Sequence, residues 1–155
     1  MNTIQKSKLK ENMARRRAIK EKKRGAPTWA LLYEAVQILF EELSTYQSVI
    51  EDFNQYPEEV LSHLQSDMDF VNSFARLRED TNIYAQQLAE LVKKFNPIND
   101  KVTTENYFTT MGYFTEIDTI GDDMNTTLTG LYATIMISIH EAVNKVNETK
   151  GFTND

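Results

Sequence analysis

Ten basic side chains crowd the first two dozen residues: Lys6, Lys8, Lys10, Arg15, Arg16, Arg17, Lys20, Lys22, Lys23 and Arg24, against only Glu11 and Glu21. Residues 25–155 hold seven basic and 21 acidic groups, so the net charge of −6 conceals a leader of +8 and a trunk of −14. A Lys/Arg segment of this density gains free energy on a polyanion by releasing condensed counterions. Residues 1–24 contain no aromatic side chain to stack on unpaired bases and no base-reading motif, so contact with DNA or RNA is expected to be sequence-independent. The competing partner is an acidic protein surface, on the chain's own body or on another protein.

Other chemistry-bearing residues do not assemble into a site. Carboxylate-bridged di-iron bundles need Glu-x-x-His pairs on facing helices. Here Glu59 and His63 stand four apart and His140 directly precedes Glu141. Ser62 beside His63 lacks any nucleophile elbow or triad context. Cysteine is absent, which removes disulfides, thiolate catalysis and Cys-based zinc sites together. Glu116, Asp118, Asp122 and Asp123 cluster around Gly121 without the alternating acids and terminal Glu of a calcium loop, and helix capping explains them. No phosphate-cradling or dinucleotide glycine motif occurs. The expectation is a non-enzymatic protein with no catalytic residues, no metal and no cofactor.

The elements that carry these residues read as helical throughout. Gly and Pro are scarce, which favours long helices over many turns. Residues 2–24 are good helix formers, but Ile4, Leu9, Met13 and Ile19 are too thinly spread for an apolar stripe. The segment is therefore expected to be a basic arm, disordered or weakly helical alone and a continuous helix against a polyanion. Residues 1–26 form this arm and its hinge, Gly25-Ala26-Pro27, with Pro27 in the first turn of the next helix.

Residues 27–150 form the acidic bundle. Trp29, Leu32, Val36, Leu39, Leu43, Tyr46, Ile50 and Phe53 are spaced 3-4-3-4-3-4-3, a coiled-coil-like seam for core packing or oligomerisation. Pro57 opens a further helix, in which Leu61, Leu64, Met68 and Val71 continue a seam. Phe74, Leu77, Thr81, Tyr84, Leu88, Leu91 and Phe95 form another, displaced by one residue. Such a shift marks overwinding or a break. The spacing predicts one bent helix over 57–95, or two helices parted at Glu79-Asp80-Thr81-Asn82.

Asn96-Pro97 stops that helix. Thr103 or Thr104 caps one carrying Tyr107, Phe108, Met111, Phe114 and Ile117. Gly121-Asp122-Asp123 breaks the chain before a last helix that offers Met124, Leu128, Leu131, Tyr132, Ile135, Ile139, Ala142 and Val146. Its stretch from Ala133 to Ile139 is apolar nearly all round, which places it centrally or at an interface. The β-branched residues between Thr126 and Ile139 would also suit a strand. Residues 151–155 read as a frayed tail.

The whole is an all-α protein, an elongated bundle of four to five helices with a basic N-terminal helical arm. The most apolar run, Leu131 to Val143, is too interrupted to span a bilayer, and the cationic leader is followed by no apolar region of a secretory signal. The leader is Lys-rich rather than Ser/Arg-rich, which argues against a transit peptide. A cytoplasmic location is expected, with no membrane contact. The leading expectation is an oligomerising, nucleic-acid-associated assembly protein, such as a scaffold, packaging or virion-core component of a virus in its host's cytoplasm. The alternative is an adaptor whose arm folds onto an acidic surface of a larger complex.

Overall fold

The computed structural model describes residues 2–25, 28–95 and 102–149, apart from the side chain of Arg24. The hinge residues Ala26 and Pro27 and the tail 151–155 lie outside the described residues. The described residues form five α-helices: α1 (Thr3–Gly25), α2 (Trp29–Asp52), α3 (Glu58–Gln65), α4 (Met68–Phe95) and α5 (Tyr107–Thr149), with a 3-10 turn over Phe53–Gln55. No strand occurs among the described residues.

Side-chain pairings fix the directions. Gln5 meets Asp52 and Arg15 meets Glu41, so α1 runs antiparallel to α2. Trp29 packs on Phe95 and Phe53 on Phe70, which sets α2 antiparallel to α4. Tyr84 donates to Asp123 (2.7 Å) and Phe95 packs on Tyr113, which sets α4 antiparallel to α5. The result is an up-down-up-down bundle of α1, α2, α4 and α5. The short α3 closes one end against α4 and the C-terminal half of α5.

The seam from Trp29 to Tyr46 is buried and turned into the core of one chain, with Ile50 and Phe53 half-buried at its end. Leu77, Thr81, Tyr84, Leu88, Leu91 and Phe95 supply the facing stripe from α4. Aromatic clusters close both ends. Trp29, Tyr33, Phe95 and Tyr113 pack with centroids 5.2–6.5 Å apart at one. Phe53, Phe70 and Phe74 pack at 4.9–5.5 Å at the other.

Several boundaries differ from the sequence expectation. The break in 57–95 falls at Ser66-Asp67, not at Glu79–Asn82. The Asp67 carboxylate accepts the backbone N–H of Phe70 (3.2 Å) and caps α4. That hydrogen bond, first among its influences, holds the Asp67 carboxyl below its ordinary range. Thr81 sits mid-helix, its hydroxyl donated to the carbonyl of Leu77 four residues back. Val60 and Leu64 are the buried residues of α3, whereas Met68 and Val71 face outward.

Nor does α5 break at Gly121; it runs unbroken for 43 residues, about 65 Å at 1.5 Å per residue. Its threonines do not divert it into a strand. Thr110, Thr115, Thr119 and Thr134 each donate to the carbonyl four residues back, which satisfies the hydroxyl inside the helix. Ala133 and Ile137 are exposed, so the stretch around them is amphipathic in place rather than central. Tyr107 and Phe108 pack edge-to-face on each other at the surface.

Candidate functional site

The basic segment is a continuous helix seated on the bundle, not a separate arm. Its start is fixed by a reciprocal cap. The Asn2 side chain accepts the N–H of Gln5 (2.8 Å), and the Gln5 side chain accepts the N–H of Asn2 (2.9 Å). The Gln5 amide then donates to Ser48 (3.0 Å) and Asp52 (2.9 Å), pinning the first turn of α1 to the last turns of α2.

The bundle-facing line of α1 is Gln5, Leu9, Asn12, Arg16, Ile19 and Lys23. The spacing is 4-3-4-3-4, the same heptad geometry as the α2 seam but built mostly from polar residues. Gln5, Asn12 and Ile19 are buried. Their partners explain how a hydrophilic helix can lie there.

Three of the ten expected binding cations are committed to the chain's own acids. Arg15 pairs with Glu41 of α2. Arg16 pairs with Asp122 (3.2 Å) and Lys23 with Asp118 (2.8 Å), both on α5. The ammonium of Lys23 also lies 5.5 Å from the centre of the Phe114 ring. These long side chains span from α1 to α5, whose backbones do not pack closely.

Gly121 makes room for this contact. A Cβ there would fall within the Arg16 guanidinium and 3.1 Å from Leu39 Cδ2. The glycine read as a helix break is the seat of an arginine.

The remaining cations divide by exposure. Lys6, Lys8, Lys10, Arg17 and Lys22 are exposed and Lys20 is half-buried, and none makes an ion pair among the described residues. The side chain of Arg24 lies outside the described residues. Lys6, Lys10, Arg17 and Lys20, spaced 4-7-3, share one flank of α1. Lys8 and Lys22 lie fourteen apart on the opposite flank, the Arg15 side.

Sequence reasoning passed over Glu42. It is 6% exposed, and its Oε1 has no hydrogen-bond partner among the described protein atoms. Burial pushes its carboxyl above the ordinary carboxylate range, and the nearby Arg16 charge pulls it partly back. Tyr46, one turn on, faces Thr129 of α5 across 3.4 Å, and burial raises its phenol. The only advance signal for Glu42 was its position: it directly precedes Leu43 of the seam, where a helix stripe is wide enough to include it.

His63 on α3 and His140 on α5 are both exposed, and no cluster of three metal-ligating side chains occurs among the described residues. No helix of the described residues is long and apolar enough to cross a membrane. Comparison with known proteins finds no matching family model, no matching curated protein and no matching solved structure.

Proposed function

We propose that this chain is a non-enzymatic binding protein that meets a polyanion, nucleic acid foremost, through the exposed flank of α1. The observation that carries the reading is the row Lys6, Lys10, Arg17 and Lys20 on one side of a helix seated on the bundle, without acidic partners. The row spans about 21 Å of helix, a length along which duplex DNA presents many phosphates. The acidic bundle behind it repels the same polyanion, so attraction is confined to α1 and the body sets the approach. Base edges are not read, because no aromatic or amide side chain accompanies the row.

The measurement is duplex DNA binding as salt rises from roughly 50 to 200 mM. Four phosphate contacts give a log–log slope between about −3 and −4. Replacing Lys10 and Arg17 by Gln should flatten that slope by about 2. Point substitution is cleaner than deleting residues 1–24, because deletion would strip Leu9 and Ile19 from α2. Salt-independent binding, or a double variant that binds like the parent, defeats the reading.

A second reading, contact with an acidic protein helix, is favoured by what Arg15, Arg16 and Lys23 already do with the carboxylates of α2 and α5. Retention on polyglutamate without retention on DNA would select it.

A further inference from the structure

The first turn of α1 is pinned to α2. The Gln5 amide donates to Ser48 and Asp52, and the backbone of α1 does not pack closely on α5. A cavity of about 480 Å³ is left at that end of the bundle, within the size range of small-molecule sites. Most of its lining is apolar, with Phe74 and Leu77 from α4 and Ile135 and Ile139 from α5. Phe53 and Tyr56, which follow α2, also border it. The Phe53 ring centre lies 4.9 Å from that of Phe74 and 6.0 Å from that of Tyr56, so three rings stand together there.

The cavity also holds a carboxylate. Asp52 is the one charged side chain among the described lining residues, and it is half-buried. Its Oδ2 accepts from Gln5 (2.9 Å), which fixes its orientation. Its Oδ1 has no hydrogen-bond partner among the described residues and, unlike Glu42 Oε1, is not sealed from solvent. Ring faces and a carboxylate attract the same kind of group, a cation. The apolar walls require that the cation be carried on an apolar body.

We propose that this cavity binds a small organic cation, an ammonium on a flat apolar body, with the ammonium on Asp52 and the body beside Phe53, Tyr56 and Phe74. An ammonium offers several N–H donors and makes a charge-assisted hydrogen bond to the free carboxylate oxygen. An anionic ligand is repelled by Asp52 and by the acidic trunk around it. None of Lys6, Lys10, Arg17 and Lys20 lines the cavity, so the site does not depend on the polyanion reading.

The test compares tryptamine, a cation near pH 7, with tryptophol, which carries a hydroxyl in place of the ammonium on the same indole body. Both are titrated calorimetrically into the full chain. Tryptamine is expected to bind about tenfold more tightly, although tryptophol is the more hydrophobic and would win if apolar burial alone decided. Asp52→Asn leaves an oxygen for Gln5 and should erase the preference while tryptophol still binds. Gln55→Trp, which places an indole in the cavity from an exposed position, should weaken both probes at least about tenfold and keeps the test decisive if the Asp52 variant folds poorly. Equal affinity for the two probes, a preference for tryptophol, a preference for tryptamine that persists in Asp52→Asn, or parental binding by Gln55→Trp overturns the proposal.

Discussion

A single carboxyl inside the bundle sets the chemistry at the residue scale. Glu42 is desolvated, with one oxygen unpaired, and its neutral form is favoured in the folded state. A raised folded-state pKa stabilises the fold below the unfolded value, 4.5 for this residue, and that contribution is lost as pH climbs through the folded value. Glu42→Gln removes the charge and retains the shape. The variant should therefore exceed the parent by about 1 kcal/mol near pH 7, and the difference should shrink toward zero near pH 4. Thermal unfolding at the two pH values checks this. A constant difference would mean that Glu42 ionisation is not linked to folding.

At the scale of elements, α1 is the weakest helix in the fold. Gln5, Asn12 and Ile19 are its buried residues among those described, against ten in α2. Its ion pairs have partly exposed members, 70% for Asp122, and pairs of that kind contribute about 0–1 kcal/mol each. Elements held this way open locally before the core does. Gly121→Ala tests the seating directly. The new methyl must evict the Arg16 guanidinium, while Ala gains about 1 kcal/mol over Gly in helix propensity. Global stability should hardly change, yet amides of α1 should exchange at least about fivefold faster, the equivalent of about 1 kcal/mol. Unchanged α1 protection would show that the Arg16 seat contributes nothing.

The same elements show what the sequence could and could not disclose. The seams of α2 and the C-terminal part of α4 were legible because Trp29 to Phe53 and Leu77 to Phe95 carry apolar residues at unbroken 3-4 spacing. The seat of α1 was not, because its 4-3-4-3-4 line is Gln5, Leu9, Asn12, Arg16, Ile19 and Lys23, and a polar line becomes a packing face only when specific partners such as Ser48, Asp52, Asp118 and Asp122 are brought opposite it. The one-residue shift between seams falls after Val71, inside α4, whereas the chain breaks earlier, at Ser66-Asp67. The place of the break was misread because Asp80 and Thr81 have the residue types of caps, while the cap that forms is Asp67. The segment 107–149 looked divisible because glycine and threonine are poor helix formers. Close approach explains the first at Gly121, and in the stretch that would have suited a strand Thr134 bonds back to the carbonyl of Gly130 within the helix.

On the scale of the whole molecule, the question is whether one chain is a complete folding unit. The seam read as serving core packing or oligomerisation is turned inward within the chain: Leu32, Leu39 and Leu43 are at most 2% exposed. The large apolar side chains left outside are spread over three helices: Ile4 and Met13 on α1, Met68, Val71 and Ile83 on α4, Tyr107, Phe108 and Ile137 on α5. Stable association needs a contiguous apolar patch rather than scattered residues. The net charge of −6 adds mutual repulsion. Sedimentation equilibrium should accordingly return the mass of one 18.0 kDa chain at concentrations from about 1 to 100 μM, since a weak patch gives dissociation constants above this range. Raising salt should not create a dimer, because screening removes repulsion without supplying apolar area. A mass that doubles with concentration would mean that an outward face, such as the one bearing Phe108, binds a second copy, and it would return the seam-bearing bundle to the class of assembling proteins.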